Sequence, residues 1–186
     1  MKNAWKKLVS AVMAIFMIGC SKTTESEIIC GGRTDKSDPD APKVIESTEI
    51  TEFSVAFFLA ERWTGEDDHR FDFEVKPDEN GVLTAYEHYS GIQHLADEDL
   101  LNALQEVIVQ NNLAMMNGIY EVTAGLPPEY QPRILKVKYA SGETLSYTVD
   151  NDPYEAWAVQ ICDVFEGWLK QNNISWDLEK WENIGE

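Results

Sequence analysis

The stretch Arg70-Phe71-Asp72-Phe73-Glu74-Val75-Lys76 alternates charged and apolar side chains at every step, and Pro77-Asp78-Glu79-Asn80-Gly81 interrupts the pattern before Val82 to Tyr89 resumes it. A period of two puts Phe71, Phe73 and Val75 on one face of a strand and the charges on the other. Asn80-Gly81 accepts positive φ, the backbone setting that a tight reversal between two strands requires. Upstream, Phe53, Val55, Phe57 and Leu59 alternate with Ser54, Ala56 and Phe58 from Ile50 onward, which reads as a strand buried on both faces near its end. With the polar turn Thr64 to Asp68 between them, these segments form an antiparallel meander of three strands.

After Gly91 the period changes. Asp97, Glu98 and Asp99 place negative charge on the first turn of a helix, where it complements the exposed amide groups, and Leu101, Leu104 and Ile108 recur at helical spacing up to Asn111 and Asn112. The segment Asn117 to Pro132 carries Gly118, Gly125, Pro127, Pro128 and Pro132, a density of breakers that reads as a long functional loop. Arg133 to Tyr139 and Thr144 to Val149 then alternate as a second hairpin around Ala140-Ser141-Gly142-Glu143. Asp152 is placed to cap a last helix opened by Pro153, with Tyr154, Trp157, Ile161, Val164, Phe165 and Trp168 as its apolar stripe. The expected fold class is therefore α+β: an antiparallel sheet of about five strands with two helices packed on one face, in the order βββ-α-ββ-α.

The N-terminus sets a basic head (Lys2, Lys6, Lys7) before the apolar run Leu8 to Ile18, then Gly19 and Cys20. The run is too short to span a bilayer, which takes about 20 apolar residues. This order resembles a bacterial lipoprotein signal peptide, with Met17 where that family usually has Leu. The resemblance implies that residues 1–19 are removed, that Cys20 becomes the lipidated N-terminus, and that the protein is held at the cell membrane facing outside the cytoplasm. Residues 20–43, rich in Ser, Thr, Gly, Pro and charge, read as a flexible tether, and residues 44–186 as one globular domain with an acidic, Trp-containing tail.

Acidic side chains outnumber basic ones by 33 to 15, a net charge of −18, and loss of the three lysines in residues 1–19 takes it to −21. A body of such net charge repels phosphates, so nucleic acid is not an expected partner and anionic headgroups are disfavoured. No acidic cluster shows the spacing of a calcium loop, and no cofactor or metal is expected. Cys30 and Cys162 could bridge after export, but Cys162 falls beside the apolar stripe of a helix, where a buried thiol is the commoner state. Trp63 ends a strand beside a polar turn, while Trp176 and Trp181, with Leu178 and Ile184, are spaced to fold back on the domain.

Nucleophile-elbow, zinc-helix, phosphate-loop and dinucleotide motifs are all missing from the sequence. Asp67, Asp68, His69, Glu87 and His88 are the only candidates for acid–base chemistry, and His88 and His94 could approach one another only if the chain reverses at Ser90-Gly91. Asn112-Leu113 to Asn117-Gly118, Gly125-Leu126-Pro127-Pro128 and Tyr139-Ala140-Ser141-Gly142-Glu143 give residues 48–170 their character. In these the domain resembles small lipoproteins of Gram-positive gut bacteria that have no assigned activity, a resemblance that implies location and architecture but no catalytic residue. The expected function is a non-catalytic envelope module that binds a peptide, glycan or protein through Trp63, Gly125, Leu126, Pro127, Pro128 and Tyr130; the alternative is a small extracytoplasmic hydrolase. Mass spectrometry of native protein should find a chain that begins at an acylated Cys20. An intact Met1 with an unmodified Cys20 thiol would overturn the anchor.

Overall fold

A computed structural model describes residues 28–29, 32–58, 70–88, 91–126, 130–150 and 155–174. The strands are β1 (Ile28–Ile29), β2 (Arg33–Asp35), β3 (Ile50–Phe58), β4 (Arg70–Pro77), β5 (Leu83–Glu87), β6 (Ile92–Leu95), β7 (Ile119–Thr123), β8 (Arg133–Tyr139) and β9 (Thr144–Val149). The helices are α1 (Glu98–Gln110) and α2 (Ala156–Gln171), with a short 3-10 turn at Leu113–Met116. One sheet of nine strands runs in the order β1-β2-β7-β9-β8-β3-β4-β5-β6. All its pairings are antiparallel except β7 with β9, which is parallel.

This overturns the expected five-stranded, purely antiparallel sheet of order βββ-α-ββ-α. The meander and the second hairpin form at the expected places, but four more strands surround them. Gly91, at φ 64°, turns the chain back so that Ile92–Leu95 pairs with β5, where the sequence reads only an approach to a helix. β7 lies inside the segment read as a breaker-rich loop, bounded by Gly118 and Gly125. Arg33–Asp35 lies in the presumed tether and pairs with β7. Short strands of this kind carry little periodicity of their own. Their conformation comes from backbone partners supplied by the rest of the sheet.

The core follows the alternation. Phe53, Phe57, Phe71, Phe73 and Phe165 are all buried, and Phe165 of α2 inserts among the strand rings, 4.4 Å from Phe73 and 5.7 Å from Phe71 between ring centroids. Trp157 meets Phe57 and Tyr147 edge-on at 6.3 and 6.0 Å. Leu100, Leu104 and Ile108 of α1 join the same cluster. Asp97 caps α1, its carboxylate accepting from the Leu100 amide at 2.9 Å. Cys162 is fully buried in α2, its thiol 3.4 Å from Glu166 Oε1, while Cys30 lies outside the described residues. The cap of α2 differs from expectation: Glu155 occupies it without a side-chain capping bond, and residues 151–154 lie outside the described residues. Among the described residues, no helix is long and apolar enough to cross a membrane.

The segment that follows β2 is fixed to the sheet by Asn117, which is buried. Its side-chain amide donates to the carbonyls of Pro42 (2.9 Å) and Thr144 (3.0 Å) and accepts from the Ser146 amide (2.8 Å). Lys43 Nζ closes the same point by donating to the Asn117 carbonyl. The next residue, Gly118, has φ +82°, and a Cβ there would sit 2.4 Å from Ala41 Cβ and 2.6 Å from the Asp38 carbonyl oxygen. No larger residue fits that crossing. Asn117→Ala should lower unfolding stability by about 2–3 kcal/mol in urea titrations, because it leaves buried backbone groups without partners. Gly118→Ala, which adds a steric clash to an unfavourable φ, should cost at least about 2 kcal/mol.

Candidate functional site

β7 and β9 run parallel, so their C-terminal ends open on the same edge of the sheet, beside the start of β8 and the N-terminus of α2. A polar crevice of about 350 Å³ lies there. Thr123 and Glu121 of β7, Tyr147 and Val149 of β9, Asp150, Arg133 of β8, Glu155 and Arg33 form its lining. The position follows from connectivity, since parallel strands place successive loops at one end and leave a cleft outside their carboxyl termini.

Arg133 holds the middle. It stands in the inward register of a strand whose other inward residues are Leu135, Val137 and Tyr139, and its side chain is 2% exposed. A guanidinium in that place needs a counter-charge and a tolerant neighbour. Glu155 Oε1 lies 3.3 Å from its Nη2, and the Trp157 ring lies 5.8 Å from its Cζ. The same Glu155 oxygen accepts from the Tyr147 hydroxyl at 3.2 Å, and its second oxygen accepts from Trp157 Nε1 at 2.8 Å. Across the crevice Arg33 pairs with Glu121, and Asp150 accepts from the Thr123 amide at 2.9 Å. Burial raises the Tyr147 phenol to about 12, so at neutral pH it is a hydrogen-bond donor and no base. The crevice is therefore a preorganised polar surface of fixed donors and acceptors.

Of the residues expected to contact a ligand, Gly125 and Leu126 lie just beyond Thr123 of the crevice wall, and Tyr130, 36% exposed, lies three residues before Arg133. Gln131 Nε2 donates to the Leu126 carbonyl at 3.2 Å, tying the two ends of this connection together. Trp63, Pro127 and Pro128 lie outside the described residues, as do Cys20, Asp67, Asp68, His69, Trp176 and Trp181. The remaining acid–base candidates separate. Glu87 is buried opposite Phe73 on the helix-bearing face, whereas His88 Nε2 lies 3.6 Å from Glu74 on the other face. His94 pairs with Ala85 on the edge strand, on the helix-bearing side and away from His88. Among the described residues no group of three or more metal-ligating side chains comes together.

In sequence Glu155 has only the part of a capping residue that reaches back to the helix start, and nothing marks Arg133, Tyr147 and Asp150 with a ligand role. One signal was present, since Arg133 opens an alternating run in which every other inward position is apolar. The chain matches no family model, no curated protein and no solved structure in the comparisons made.

Tyr139, near the opposite end of β8, is likewise raised to about 12 by burial. Both phenols hold their protons more tightly when folded than the ordinary value of about 10 allows in the unfolded chain. Their contribution is therefore complete below pH about 10 and disappears as pH rises towards about 12. Ultraviolet titration should show two late-ionising tyrosines, with stability falling across that window. Loss of one of the two late-ionising groups in Tyr147→Phe would assign it to the crevice.

Proposed function

We propose that the protein is a lipid-anchored module of the cell envelope that binds a peptide, glycan or protein segment in the crevice at the ends of β7 and β9. The observation that carries this reading is the network around Arg133: Glu155, Tyr147 and Trp157 hold one another in place at the wall of an open cleft. Groups fixed in advance cost little to order when a ligand arrives, which is the property of a recognition surface. The connection through Gly125, Leu126 and Tyr130 borders the cleft and supplies contacts that a ligand larger than the cleft would reach. The lipobox-like Met17-Ile18-Gly19-Cys20 supports a location outside the cytoplasm, where peptide and glycan ligands are plentiful. A net charge of −18 supports a partner other than nucleic acid.

Binding of the full chain to arrays of envelope peptides and glycans tests this reading against Thr123→Arg, which places a long side chain across the cleft. A ligand recognised through the crevice should bind the variant at least about tenfold more weakly, equivalent to ~1.4 kcal/mol. Equal binding by both proteins, or turnover of the ligand, would overturn the proposal. Cys20→Ala should move the protein from the membrane fraction to the soluble one.

A further inference from the structure

Both helices pack into one core on one side of the sheet, and among the described residues no helix packs on the other side. The charges on that other face do not follow the composition of the chain. Strand register places Arg70 and Lys76 of β4 and Lys136 and Lys138 of β8 there, and Lys36 joins them over the ring of Tyr120, 5.9 Å from its centroid. Against them stand Glu52, Asp72 and Glu74. Among the described residues, five of the nine Lys and Arg side chains thus share a face with three of the 21 Asp and Glu ones.

We infer that this helix-free face is a docking surface for an anionic lipid bilayer. The inference rests on the reading of Cys20 as a membrane anchor and adds to it an orientation of the domain. Three of the cations are partly engaged: Lys138 with Glu52 at 2.7 Å, Lys76 with Glu74 at 2.6 Å, and Arg70 with Asp72 at 3.9 Å. The two lysine pairs are at the surface, of the kind that solvent already weakens, whereas Arg70 is only 15% exposed, donates to the Pro132 carbonyl at 3.1 Å and serves as a fixed part of the face. Lys136 has Ser54 and Ser146 as its cross-strand neighbours, and neither Lys136 nor Lys36 has an ion pair among the described residues.

The net charge of the whole chain does not forbid this contact. Charges on the far side of the helix layer lie beyond a Debye length of about 8 Å at physiological ionic strength, so the bilayer responds mainly to the face that touches it. A bilayer is also the anionic surface within reach. Eight residue steps separate Cys20 from Ile28 of β1, which is already paired into the sheet, and at full extension they span at most about 29 Å.

Amine acetylation followed by mass spectrometry tests the orientation on the full, unsubstituted chain. The protein is bound to vesicles of phosphatidylcholine, or of phosphatidylcholine with phosphatidylglycerol, and the modification rates of Lys136 and Lys138 are compared with that of exposed Lys170 on α2. On the anionic vesicles Lys136 and Lys138 should react at least about threefold more slowly than on neutral ones, with Lys170 unchanged and the difference lost in high salt. Equal rates on the two vesicles, or equal slowing of all three lysines, would overturn the inference. Flotation with neutral vesicles reports the anchor separately. Flotation without lysine protection rejects the docking face and keeps the anchor, and protection on anionic vesicles without flotation on neutral ones does the reverse.

Discussion

The sheet depends on one buried amide. Asn117 joins three strands of chain distant in sequence, receiving a hydrogen bond from Ser146 of β9 while donating to Thr144 and to Pro42. Without it, the segment after β2 would keep backbone bonds such as Lys36 to Tyr120 and Asp38 to Gly118 and more exposed side-chain contacts such as the Tyr120 amide to Ser37 Oγ. A buried side-chain amide that satisfies backbone groups on both sides fixes register as well as energy, because a shift of one residue would strand all of them. Gly118 adds the steric half of the constraint by admitting residues 38–41 to within contact of its Cα. A third of the sheet, β1, β2 and β7, is positioned through this junction.

Physical signals of different reach explain what the sequence disclosed. Phe71, Phe73 and Val75, like Leu135, Val137 and Tyr139, alternate because a two-sided strand with one buried face must alternate, and both are visible locally. The stripe through Trp157, Ile161, Phe165 and Trp168 is legible for the same reason, with the helical period in place of two. Arg33-Thr34-Asp35 has no such mark. It is a strand because β7 offers it a line of hydrogen-bonding groups, and that information resides in Ile119–Thr123 more than 80 residues away. β7 was hidden in turn by the glycines and prolines around it, which here bound a strand as well as a turn.

The site was legible only at its margin. Gly125, Leu126 and Tyr130 mark the connection, because breakers and exposed aromatics betray loops. The crevice itself is built where β7, β8 and β9 converge with the start of α2, and the parallel pairing responsible for it joins strands that have β8 between them in sequence, a topology no local period announces. Glu155 illustrates the difficulty. In sequence it is an acid at the start of a helix, where the macrodipole alone would justify it. In the fold its two oxygens gather a guanidinium, a phenol and an indole.

The pairing of an early segment with late ones also bears on how the chain acquires its shape. Pro42 bonds to Asn117 across 75 positions, and Glu143 accepts from the Glu46 and Ser47 amides across 97 and 96. Synthesised from its N-terminus, the polypeptide presents Arg33 to Lys43 early and their partners at 117–123 much later. Closure of so distant a loop delays folding more than any local step. The early segment thus stays open to proteases and chaperones until those late partners have been made.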